Sequence, residues 1–264
     1  GNCQVFTVFV QTANSAGRVS TPSFDPTTGE YLLGHGWRKP MTDRCVRQIF
    51  PEPTDESGNR SRAFSDFADV PNIVLLGDPG SGKSHLFRHF AGITNSTFVT
   101  ARGFLNIPSF GSDAVLFIDG LDEKRAGRGD QNTIDEMIRK LFASTPRKVR
   151  ISCRAQDWLG ETDLAAFQTY FNRHGGAVVL ALEPLSKDEQ RAVLNAQMVD
   201  NADAFLTEAT DRGLQDFLVN PQNLIMLAHV VAGGSWPTTR KELYESATQL
   251  LLVEHNTTRS RSGD

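Results

Sequence analysis

Cysteine is scarce in this chain. There are three, Cys3, Cys45 and Cys153, in 264 residues. They are odd in number, widely spaced and form no C-x-x-C pair. That argues against a disulfide scaffold or a zinc knuckle and fits a reducing compartment. No apolar run approaches the roughly 18 residues that span a bilayer. The early run Gln4–Val10 is short and lacks the basic flank of a secretory signal. Gly1-Asn2-Cys3 suggests an acylated start, but Val5 stands where that pattern needs Ser or Thr, so the leading glycine reads as a cut end. Positive charge is not in excess either: 27 Lys and Arg face 31 Asp and Glu, a net charge of −4. A mildly acidic chain is a poor candidate for salt-driven binding to nucleic acid or to anionic lipid. These absences predict a cytoplasmic protein with neither a membrane nor a nucleic acid as its partner.

What is present is ordinary globular composition, 39% apolar and 22% charged, in a chain long enough for one large domain or two small ones. No repeat or low-complexity tract interrupts it. Residues 1 to about 48 are rich in Gly, Ser, Thr and Pro, with strand-like pieces such as Tyr31–Leu33. Pro51–Asp66 is polar and turn-prone, and reads as a connection. From Pro71 short apolar runs alternate with helical patterns, as in a parallel sheet with crossover helices. The predicted strands are Asn72–Leu76, Thr97–Thr100, Ala114–Ile118, Val149–Ser152 and Ala177–Leu182. Predicted helices between them are Lys83–Ala91, Thr133–Ala143 and Asp163–Tyr170. After Leu182 the pattern is all helical: a capping box at Ser186–Glu189 opens a helix to about Val199, followed by Leu214–Val219, Pro221–Val231 and, behind a second box at Thr239–Glu242, Thr239–Val253.

The decisive motif is Gly77-Asp78-Pro79-Gly80-Ser81-Gly82-Lys83-Ser84, which fits G-x-x-x-x-G-K-[ST]. A buried strand feeds it and a helix leaves it, the context this motif requires. Glycines let the backbone curl so that several N–H groups point at one anion, and the helix N-terminus adds partial positive charge. Lys83 then bridges the terminal phosphates, and the Ser84 hydroxyl ligates Mg²⁺. The bare pattern arises by chance in about one chain of this length in a hundred. His85 follows on the helix and joins the candidate contacts. With His89 it has metal-ligand spacing, but no third ligand is in sight, so a packing or surface role is the better reading.

Two further strands end in charge. Ala114–Ile118 runs into Asp119, a candidate to hold the water shell of Mg²⁺ at the carboxyl edge, where α/β sheets bind ligands. Asp122 and Glu123 are candidates to orient an attacking water, with Asp122 preferred; the alternative is a solvated acidic turn. Val149–Ser152 leads through Cys153 to Arg154, which either senses the terminal phosphate or forms a structural ion pair with a local acid. Cys153 reads as a buried small residue, and Arg125, Arg128 and the run Arg147–Arg150 as a solvated face.

Together these elements resemble the STAND class of P-loop NTPases and, within it, the NACHT family. The telling piece is Phe117-Ile118-Asp119-Gly120-Leu121-Asp122-Glu123: a small residue follows the strand-end aspartate and an acid stands three places on, where AAA+ ATPases usually carry a glutamate directly after the aspartate. Ser152–Trp158 looks like the fourth-strand arginine motif of NACHT-like proteins. Leu182–Glu189 resembles the junction into a small helical domain. Leu218–Leu224 resembles the motif whose proline, here Pro221, packs near adenine. Trp236–Tyr244 looks like the start of a winged helix, and Arg47–Pro53, with Ile49 and Phe50, resembles the strand that reaches adenine.

The resemblance covers about residues 45 to 255 and implies a five-stranded parallel P-loop sheet flanked by helices, then a small all-helical domain. The expected divisions are 1–68 as N-terminal segment and linker, 69–182 as nucleotide-binding domain, 183–233 as helical domain and 234–264 as winged-helix start and tail. It implies ATP or ADP with Mg²⁺ as cofactors, slow hydrolysis, self-association on activation and a role in innate-immune or antiphage signalling. Sensor and effector regions are not recognisable in this chain, so the expectation is a fragment or a split subunit. An AAA+ remodelling ATPase and a non-hydrolysing nucleotide-bound scaffold remain the alternatives.

Overall fold

The computed structural model describes residues 43–52, 60–126, 131–234, 236–239, 241–246 and 248, together with β1 (Ser23–Asp25) and β2 (Glu30–Leu32), which pair antiparallel. Among the described residues two compact units emerge, one spanning 43–183 and the other 184–248 with β1 and β2.

The first unit is α/β. Its strands are β3 (Cys45–Phe50), β4 (Arg62–Ala63), β5 (Asn72–Gly77), β6 (Thr97–Thr100), β7 (Val115–Asp119), β8 (Lys148–Arg154) and β9 (Val178–Leu182), in the sheet order β4-β3-β9-β5-β8-β7-β6. The five strands from β9 to β6 are parallel, while β3 runs antiparallel to β9 and β4 to β3. The sheet is therefore seven-stranded and mixed rather than five-stranded and parallel. The stretch expected to be only a connection supplies β4 and a 3₁₀ turn, Phe64–Phe67; Pro53 and residues 54–59 lie outside the described residues.

The connections explain where ligands can gather. From β5 the chain crosses past β8 and β7 to β6, then steps back through β7 and β8 and passes β5 to reach β9. Right-handed crossovers made in opposite directions put their helices on opposite faces. Thus α1 (Lys83–Ile93) packs Leu86, Phe87 and Phe90 with Ile73, Leu75 and Phe117 on one face. On the other, α2 (Ala101–Asn106), α4 (Gln131–Ser144) and α5 (Glu161–Arg173) pack Phe104, Met137, Leu141 and Phe167 with Val74, Leu116, Ile118 and Ile151. The period-two split of β5 between two cores is why all six of its residues are buried. A short α3 (Leu121–Ala126) follows β7. The switch in direction lies at β5, so the crevice at its carboxyl end is the expected ligand position.

Tyr170 of α5 is fully buried in the second of these cores and its hydroxyl has no hydrogen-bond partner. Burial pushes its pKa up to about 12. The unfolded tyrosine ionises near pH 10 and the folded one does not, so the unfolded state loses its proton first. Alkaline absorbance titration should show one of the three tyrosines ionising last, with stability falling between pH 10 and about 12. A Tyr170→Phe variant should lose that late transition.

The second unit is helical: α6 (Lys187–Ala196), α7 (Ala202–Asp211), α8 (Gln215–Leu218) and α9 (Pro221–Ala232), followed by helical residues 241–246. The box at its start is present: Ser186 Oγ accepts from the Glu189 N–H and the Glu189 carboxylate accepts from the Ser186 N–H. Helix α7 was not expected from the sequence; Asn201 caps it through the Ala204 N–H. Leu194, Ala209, Leu224, Leu227 and Leu243 form its core, while Ala247, Leu250 and Leu251 lie outside the described residues. Among the described residues no helix is long and apolar enough to cross a membrane.

Candidate functional site

At the carboxyl end of β5 the chain turns tightly. Gly80 and Gly82 have φ of 73° and 97°, the left-handed region that glycine alone enters without strain. Gly77 is required for a different reason: a Cβ there would lie 2.9 Å from Ser81 Oγ and 3.2 Å from Leu182 Cβ. Gly82 caps α1, with the Leu86 N–H donating to its carbonyl. Inside this turn Lys83 is buried and its Nζ donates to the carbonyls of Gly77 at 2.7 Å and Asp78 at 3.0 Å. Burial lowers its pKa; the Asp122 and then the Asp119 carboxylate partly oppose that shift. Both acids therefore act on the same ammonium. Ser81 Oγ is buried with no partner, a polar atom aimed at nothing the chain supplies. Ser84 is half-buried at the start of α1, whereas Asp78, Pro79 and His85 are exposed.

Beside the loop stand the ends of β7 and β8. Asp119 is buried and accepts a 2.5 Å hydrogen bond from Ser152 Oγ, which in turn accepts from the Gly120 N–H at 3.0 Å. Ser152 thereby orients the carboxylate. Gly120 has φ of 73° and starts the turn into α3, which carries Asp122 and Glu123 in its first turn. Asp122 is buried and doubly held: Oδ2 lies 2.8 Å from Arg154 Nε and Oδ1 accepts the Arg154 N–H at 3.1 Å. The ion-pair reading of Arg154 is the one observed, and it ties up the acid expected to orient water. Glu123 is exposed, its carboxyl folded over Gly120.

Ile49, Phe50 and Arg150 fall elsewhere in this unit. Because β3 is antiparallel to β9, its start lies at the loop edge and its end does not: Val46 pairs with Leu182, Phe50 with Val179. Val179 is level with Val74, three residues short of Gly77, or roughly 10 Å along the strand. Ile49 and Phe50 are thus not at the loop; Ile49 packs on the core and Phe50 is exposed. Pro221 belongs to the helical unit, at the first position of α9, where Asn220 Oδ1 accepts from the Gln222 and Asn223 N–H groups. Arg150 is not on a solvated face. It is buried, donates to the carbonyls of Pro71, Val149 and Ala68, and its pKa is lowered by burial to about 10. Arg128 lies outside the described residues.

Two residues at the site escape sequence reasoning. Ser152 opens the segment likened to the fourth-strand arginine motif, but the sequence assigned it no role of its own. Arg44, just before β3, donates from Nη1 to Ser81 O at 2.7 Å and from Nη2 to Glu183 O at 2.6 Å.

The residues present fit a bound polyphosphate. A desolvated ammonium, a buried unpartnered hydroxyl and a turn that excludes a Cβ converge at one point. Among the described residues no cluster of three or more His, Cys, Asp or Glu could hold a metal by itself, so a divalent ion here would depend on Ser84, Asp119 and the phosphate oxygens together. No family model matches this sequence, and no curated protein matches it significantly.

Proposed function

We propose that this chain is the nucleotide-binding module of a NACHT-like STAND ATPase, holding ATP or ADP with Mg²⁺ on the turn Gly77–Ser84. The observation that carries the reading is Lys83: a buried ammonium in a glycine turn at the switch point of the sheet, under the influence of Asp122 and Asp119. Main-chain N–H groups of the turn and Lys83 neutralise the phosphates, and Ser84 with Asp119 would hold the ion. Bound Mg²⁺ supplies charge neutralisation of the phosphate oxygens. Asp122 and Glu123 supply the carboxylates near the terminal phosphate, and Arg154 the cation. By the same reading the module is cytoplasmic, self-associates on activation and serves innate-immune or antiphage signalling.

Turnover is slow in this reading because Asp122 and Arg154 satisfy each other. The same pair favours a second reading, a nucleotide-bound scaffold that does not hydrolyse at all. The AAA+ alternative is disfavoured by Gly120: its φ of 73° suits glycine, not the glutamate that class carries there.

The test is calorimetric titration of the purified chain with ATP, ADP and pyrophosphate, with and without Mg²⁺. Binding of all three, strengthened by Mg²⁺ for ATP, is expected. Failure of all three to bind overturns the proposal; binding without any phosphate release selects the scaffold.

A further inference from the structure

Arg44 is 4% exposed, and its guanidinium spans two carbonyls, Ser81 O in the glycine turn and Glu183 O just beyond β9. Its backbone is fixed on both sides. The Arg44 N–H donates to Asp43 Oδ1, which also accepts from the Ser65 N–H, and Arg44 O accepts from the Phe64 N–H. One residue on, Cys45 O accepts from the Glu183 N–H at 3.0 Å. The side chain is thus referenced to the sheet, not to the turn it touches.

A trans peptide carries its C=O and N–H on opposite sides of one plane. Drawing the Ser81 carbonyl toward Arg44 therefore turns the Gly82 N–H away from Arg44. Among the described residues no protein acceptor bonds that N–H. The same peptide is poorly defended by sterics. Its C-terminal side is Gly82, with φ of 97°, and glycine tolerates both signs of φ. Rotating this one peptide would exchange a donor for an acceptor inside the turn, without moving the strand or the helix.

We infer that Arg44 is a positioning residue for the phosphate turn, holding the Ser81–Gly82 peptide in the orientation that offers its N–H to a bound anion. The inference rests on the reading of Gly77–Ser84 as a polyphosphate site. It differs from a general effect of charge: what matters is a planar fork that reaches two carbonyls at once, which an ammonium cannot reproduce.

The experiment compares the wild-type chain with Arg44→Met, Arg44→Lys and, as control, Arg47→Met, whose arginine is partly exposed and pairs with the Glu183 carboxylate. The readouts are Mg-ADP affinity and the Gly82 amide resonance in glycine-labelled protein. In the wild type ADP should shift the Gly82 amide proton downfield. Both Arg44 variants should lose that shift and at least tenfold in affinity, and Arg47→Met should lose neither. The inference is overturned if Arg44→Met keeps the shift and the affinity, or if Arg44→Lys restores affinity while the shift stays absent, which would make charge the cause. Should Arg44→Met fail to fold, Arg44→Lys is read alone by the same criteria. If the wild type binds no ADP, the polyphosphate reading fails separately. The inference is then judged on the ligand-free protein: relaxation dispersion at Gly82 in the Arg44 variants but not in the wild type upholds it, and its absence from the variants rejects it.

Discussion

Lys83→Ala is expected to weaken ATP and ADP binding at least tenfold, and up to about a hundredfold, while leaving thermal stability unchanged or slightly raised. The two halves of that result have one cause. A charge-assisted contact to phosphate is worth about 1.5–3 kcal/mol, which spans that range of affinity. The ammonium is buried in the turn, and desolvation is the leading influence on its lowered pKa. Folding therefore has to bear a charge it would rather not hold. For a base with a lowered pKa, the folded state binds fewer protons than the unfolded state in the window between the two values. The cost is fully present below the folded pKa and is relieved as pH climbs from there toward 10.5. Against it stand the two hydrogen bonds to Gly77 O and Asp78 O, which offset part of the penalty. A lysine kept only for structure would give the reverse pattern: a fall in melting temperature with no change in Kd. Titration calorimetry and a melting curve on the same preparation separate the two. Unchanged ADP affinity would remove the basis for assigning a polyphosphate to this turn.

The strands that build this site were legible because burial on both faces leaves a continuous apolar run. Asn72–Gly77 differs from its expected limits by one residue at one end, Val115–Asp119 by one residue at each end, and Thr97–Thr100 not at all. The glycine turn was legible because its residues are adjacent in the chain. What the sequence hid is long-range or polar. Strand β3 joins the sheet by pairing with β9, about 130 residues away, and its direction decides that Arg44 rather than Phe50 meets the turn. Asp122 and Arg154 each carried a separate expectation, yet their 2.8 Å contact crosses 32 positions, and no local pattern links them. No helix was expected at α3, where Asp122 and Glu123 were read as water-orienting acids or a solvated acidic turn, because a six-residue segment is too short to show a periodicity. Arg150 looked solvated within a basic run. Its guanidinium instead adds donors to the Pro71 and Ala68 carbonyls, which the Val149 N–H and the Lys148 ammonium also reach, a convergence visible only once the backbone is placed.

Asp119→Asn should then divide the metal from the phosphate. The asparagine side chain has the same shape, and its Oδ1 can accept the Ser152 hydroxyl as the carboxylate does, so the end of β7 and the Gly120 turn should keep their form. Only the charge is lost. In the absence of Mg²⁺ the wild-type carboxylate repels a polyphosphate, so the variant should bind ADP as tightly as the wild type or more tightly. In the presence of Mg²⁺ the order should invert, because the wild type holds the ion and the variant does not. Any phosphate release should fall by about a hundredfold or more, the usual scale for removing a charged group that stabilises transferring phosphoryl oxygens. The inversion is the informative part. A residue that merely supports the sheet would change both affinities in the same direction, and a carboxylate far from the phosphates would change neither. If Mg²⁺ has no effect on wild-type affinity, Asp119 is not the anchor of an ion, and its bond to Ser152 must instead be understood as a device for turning the chain from β7 into α3.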